Sequence, residues 1–86
     1  MSHTAAASDI LSSAAQTPIT LPENPRTRTE FTLHAAWHAI ELDAAEASGD
    51  DDRRTRALAA AHLYAHHASL LGDSRATRLL KQLPRR

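Results

Sequence analysis

Leu33, Trp37, Ile40, Ala44 and Ala47 recur at spacings of four, three, four and three, the stripe of a helix packed along its length. A second, weaker stripe of Phe31, Ala35, Leu42 and Ala45 lies nearly opposite. A helix that is apolar on two sides needs more than one neighbour to cover it. Thr27-Arg28-Thr29-Glu30 has the form of a capping box, in which the hydroxyl takes the N3 amide and the glutamate reaches back to the cap amide. This predicts a helix from Thr27 that closes at Gly49.

A second helix starts at Asp50, Asp51 and Asp52, where carboxylates suit free amides and the positive end of the helix dipole, and ends near Gly72. Its stripe of Ala57, Ala61, Tyr64, Ala68 and Leu71 is mostly alanine, which predicts close approach of backbones rather than a thick core. Leu58, Ala65 and Ser69 flank that stripe, while Leu63 and Leu70 form a separate apolar patch. A short third helix takes Asp73 or Ser74 as N-cap, Ala76, Leu79, Leu80 and Leu83 as its apolar side, and Pro84 as its stop. Arg75, Arg78 and Lys81 lie on its other side. No segment alternates with period two, so the expected fold is all-α. It is an antiparallel helical hairpin turning at residues 48–51, with a short third helix, assembling into a helical bundle. The hairpin packs Leu33, Trp37, Ile40 and Ala44 against Leu58, Ala61 and Ala65.

Residues 1–22 are rich in Ala, Ser and Thr, with small apolar islands at Ile10-Leu11 and Ile19 to Leu21, and Pro22 and Pro25 forbid regular pairing beyond them. They read as a flexible or partly ordered tail, with room for a short helix from Ser8, ahead of a helical domain over 23–86. A chain of 86 residues makes one domain, and one core of this size supplies no more than roughly 3 to 5 kcal/mol of net stability. Self-association or a partner would add to that. There are no cysteines, so disulfides and thiolate zinc sites are excluded. The N-terminal residues lack the basic and apolar regions of a secretory signal, and no apolar run approaches the roughly 18 residues of a membrane span. The expectation is a cytoplasmic protein without membrane contact.

The formal net charge of zero conceals a polarity. Through Asp52 two arginines stand against nine acids; from Arg53 onward eight Arg and Lys stand against Asp73 alone. Such a split favours pairing between neighbouring helices, or head-to-tail association, over a nucleic-acid surface.

Four histidines form two pairs of equal spacing, His34 with His38 and His62 with His66, on either side of the Gly49 turn. In an antiparallel hairpin, residues whose numbers have a constant sum face each other, which sets the two pairs level. With Glu41 one turn beyond His38, the four imidazoles would line one edge of the hairpin and offer ligands to a divalent transition metal. A solvated border with ordinary hydrogen bonds accounts for the same pattern. The glutamate of zinc peptidases and the paired ExxH of di-iron bundles are both missing. His3 and His67 take no part. No serine sits in a nucleophile elbow and no carboxylate pair lies in a predicted cleft, so neither an enzyme nor a cofactor is expected.

The sequence therefore points to a small helical protein–protein interaction or regulatory protein that docks apolar helix faces on itself or a larger partner. Phe31, Leu42, Leu63 and Leu70 are the expected interface, most simply in a two-fold homodimer. One alternative is a nucleic-acid-binding regulator using the basic C-terminal half. Ala68, Gly72 and the following helix partly match helix-turn-helix spacing, but Arg78 and Lys81 stand where that motif needs core residues. The other alternative is the His-based metal-binding bundle.

Overall fold

The computed structural model describes residues 5–14 and 25–85. They form four helices, α1 (Ala5–Ala14), α2 (Arg28–Ser48), α3 (Asp51–Leu70) and α4 (Ser74–Gln82), and no strand occurs among the described residues. Thr27 opens α2 with the expected capping box: its Oγ1 accepts from the Glu30 amide at 3.2 Å, and Glu30 Oε1 accepts from the Thr27 amide at 3.0 Å. At the other end Gly49 adopts φ 72°, a left-handed conformation that costs glycine nothing. The Asp50 amide then donates back to the Ala45 carbonyl at 3.1 Å. Asp50 caps α3 by accepting from the Arg53 amide at 3.1 Å. Two residues thus reverse the chain, and α2 and α3 pack as an antiparallel hairpin.

The packing face of α2 differs from the one expected. Thr32, Ala35, Ala36, Ala39, Leu42 and Ala45 point inward, meeting Ala57, Leu58, Ala61, Ala65 and Ala68 of α3. Of the stripe predicted to drive the hairpin, Leu33 is buried, whereas Trp37, Ile40, Ala44 and Ala47 are exposed. The physical reason is the alanine content of the opposite side. Small side chains on both helices let the backbones come close, and a seam of that kind has no space for an indole. Leu42, expected at an intermolecular interface, is completely buried within the chain and cannot meet a partner.

α4 returns against α3 through Gly72, whose φ of 93° again suits glycine. Asp73 is its N-cap, and Ala76, Leu79 and Leu83 face inward. α1 packs on α2 and α4, burying Ala6, Ala7 and Ile10 in the common core. The Ala6 amide donates to Gln82 Oε1 at 3.3 Å. Part of the segment read as a tail therefore supplies a wall of the core, in a helix that begins ahead of Ser8. His3, Ile19, Leu21 and Pro22 lie outside the described residues. No helix among the described residues is long and apolar enough to cross a membrane.

Candidate functional site

The exposed stripe of α2 forms a ridge on the side away from its core face. Trp37 is 47% exposed and Ile40 37%, with Ala44 and Ala47 continuing along the helix. Beside it lies a shallow groove of about 410 Å³ lined by Trp37, His38, Glu41, Arg53, Arg56, Ala57 and Ala60. Glu41 accepts a hydrogen bond from Arg53 Nε across the hairpin. That charged donor holds the Glu41 carboxyl below the ordinary carboxylate range and raises the Arg53 guanidinium in turn. Arg54 pairs with Glu46 at 3.6 Å, so the first turns of α3 partly neutralise the acids of α2.

His34 and His38 project into the seam between α2 and α3, where they meet Tyr64. The His38 and Tyr64 rings stack at 5.4 Å and 9°, and His34 lies 5.0 Å from the same ring. Trp37 packs edge-on against His38 at 5.0 Å, while Phe31 stacks on His67 at 4.8 Å and leans on Tyr64 at 6.2 Å. His67, assigned no part from the sequence, thus closes one end of an aromatic layer that runs to Trp37. Burial lowers the pKa of His38, and the neighbouring His34 lowers it further, against an upward pull from Glu41.

The other histidine pair faces elsewhere. His62 Nε2 is 2.6 Å from the Pro84 carbonyl oxygen, to which it donates, and His66 is exposed. Together with Leu63 and Leu80 they line a groove of about 480 Å³ between α3 and α4. Leu63 is 58% exposed, and Leu70, seven residues on along the same side of α3, is 72% exposed. The level expected from the turn position holds, since His38 and His34 both reach Tyr64, midway between His62 and His66. The rotational placement does not: Tyr64 occupies the seam, and the two histidine pairs stand on different sides of α3. Among the described residues no group of three or more His, Asp or Glu side chains is placed to share a metal ion. The ligand set of His34, His38, Glu41, His62 and His66 is therefore divided, with Glu41 committed to Arg53.

Of the four expected interface residues, Leu63 and Leu70 are free of cover, Phe31 is half-buried under His67 and Tyr64, and Leu42 is core. Sequence reasoning also missed a polar tie. Asp73 is buried, its Oδ2 accepting from Thr32 Oγ1 at 2.6 Å and from Arg75 Nη2 at 3.0 Å, its Oδ1 from the Arg75 amide at 2.9 Å. Burial alone would raise its pKa, but the bonds from Arg75 and Thr32 outweigh this and hold it at about 2. The signal available was Thr32 itself, a polar residue on the core face of α2.

The described surface thus carries an apolar ridge on α2 and an apolar groove between α3 and α4. No family model matches the chain, nor does any curated protein or solved structure.

Proposed function

We propose that this chain is a small helical interaction protein of regulatory type, which acts by docking its uncovered apolar surfaces on protein. The single observation that carries this is the exposure of Trp37 and Ile40 on the outer side of a helix whose inner side is already packed. Isolated surface leucines are common, but an indole and an isoleucine one turn apart, with two alanines continuing the stripe, have the spacing by which one helix grips another. Leaving such a stripe in water costs stability in a small domain, and covering it would recover that. The docking role is favoured over nucleic-acid binding because Arg75, on the basic helix, is already engaged by Asp73. It is favoured over metal binding because the two histidine pairs are separated by Tyr64.

The test is site-specific photo-crosslinking in cells. A photoreactive amino acid at position 40 or 63 is compared with one at Thr55, an exposed polar site on α3. Discrete crosslinks to protein from position 40 or 63, absent from position 55, are expected. Equal, diffuse labelling from all three positions would contradict the proposal.

A further inference from the structure

His38 stands on the boundary between two environments. On its inner side the ring stacks on Tyr64 at 5.4 Å and 9°, with Trp37 edge-on at 5.0 Å and His34 at 6.4 Å. Buried His34 lies 5.0 Å from the same phenol ring, so two imidazoles share one platform. On its outer side His38 lines the open groove of about 410 Å³, together with Glu41, Arg53 and Arg56. The titratable and charged groups around it are therefore His34 and Glu41 from α2, and Tyr64, Arg53 and Arg56 from α3. Among the described residues, none from α1 or α4 lines that groove. The two environments suit different forms of the ring. Neutral imidazole packs in the seam as a flat aromatic group, whereas imidazolium needs water or a carboxylate, and its charge in the seam lies beside a second imidazole. Glu41 is one turn along the same helix. Arg53 Nε bonds Glu41 Oε1, and a carboxylate has a second oxygen to accept from another donor.

We propose that His38 is a pH switch in the α2–α3 seam: on taking a proton from solvent, its ring turns off Tyr64 into the groove and donates to Glu41. The change is a rotamer step of one side chain, with open space in the groove and an acceptor within one helical turn. A ring face attracts a cation, which favours staying on Tyr64. Burial and the neighbouring His34 act the other way and hold the pKa of His38 below its ordinary 6.5, against an upward pull from Glu41. The neutral, stacked form therefore persists as pH falls to 6.5, and the turn follows at lower pH. Trp37 rests edge-on against His38, so the step removes a support from the exposed indole and reaches the outer face of α2. It is independent of what docks there.

Proton NMR of the full chain between about pH 8 and 5 tests this, with the fluorescence of Trp37, the one tryptophan, as a second reporter. The His38 ring protons are expected to titrate with a midpoint below 6.5. In step with them, dipolar contacts from His38 to Tyr64 should vanish and contacts to the Glu41 methylenes appear, while Trp37 emission changes over the same range. Helical circular dichroism should stay constant through the transition. His34→Gln should raise the midpoint and Glu41→Gln lower it, and His38→Phe should leave Trp37 emission flat in pH. A midpoint at or above 6.5 overturns the proposal, since the ring faces then hold the cation. Titration with the Tyr64 contacts intact overturns it as well, as does a midpoint that neither variant moves. Loss of helix in step with the titration also overturns it, because that is unfolding of the domain and not a turn of one ring. If His38→Phe fails to fold, the contacts of His38 in the parent decide alone.

Discussion

At the scale of single residues, the most consequential group is Asp73, which joins α2 to the start of α4 through Thr32 and caps α4 with the same carboxylate. Its pKa lies at about 2 in the folded chain, against an ordinary 3.8. The folded state thus holds the anion more firmly than the unfolded one, and its contribution is present above the ordinary value and lost as pH falls through about 2. The shift corresponds to about 2 kcal/mol. Thr32→Val, which removes the hydroxyl donor while keeping the volume, is expected to cost about 1 to 2 kcal/mol in urea denaturation at pH 7. The loss should shrink toward pH 2, where the carboxyl is protonated; a variant as stable as the parent at pH 7 would show that the tie contributes nothing. His38 moves in the same direction for a different reason. Its folded pKa is depressed by burial and by His34, so stability is present above about 6.5 and lost as pH falls through the depressed value. Thermal melting between pH 8 and 5 should show a decline that His38→Phe flattens, and a parent curve independent of pH over that range would contradict the assignment.

At the scale of elements, the helices, their caps and the turn were legible because each depends on local chemistry. The capping box at Thr27 and Glu30, the left-handed Gly49 and the Asp73 cap all stand where their residue types require. Gly49→Ala is expected to cost about 1 kcal/mol, since nothing crowds the added methyl and only its left-handed backbone is strained. An unchanged melting temperature would argue that the turn relaxes elsewhere. The inner face of α2 was not legible, because a stripe of large apolar residues is the usual mark of a core and here it is the uncovered side. Alanine on α3 was correctly taken to mean close helix packing; the same inference from Ala35, Ala39 and Ala45 on α2 would have turned the helix the right way. The histidine pairs show the same division. Their level follows from chain length through the turn, whereas their side of the helix depends on where α4 and Tyr64 lie, which no local pattern specifies.

At the scale of the whole molecule, α1 closes the core by placing Ile10 against α2 and α4, so this described part of a segment expected to be flexible or partly ordered belongs to the packed structure. Ile10→Ala is therefore expected to cost about 2 to 4 kcal/mol, read as a lower urea midpoint at constant slope. No change in midpoint would mean that α1 adds nothing to the folded state. The charge polarity of the chain pairs α2 with α3 near the turn, through Glu41 with Arg53 and Glu46 with Arg54. The central claim is that the Leu42 side of α2 faces inward while the Trp37 side faces outward for a partner. Equilibrium urea denaturation of Trp37→Ala beside Leu42→Ala, at a concentration low enough to keep the chain monomeric, tests it most directly. Leu42→Ala should lose about 2 to 5 kcal/mol, enough to unfold much of a domain this small, while Trp37→Ala should lose about 1 kcal/mol or less. A Trp37→Ala variant that unfolds while Leu42→Ala melts like the parent would contradict the account.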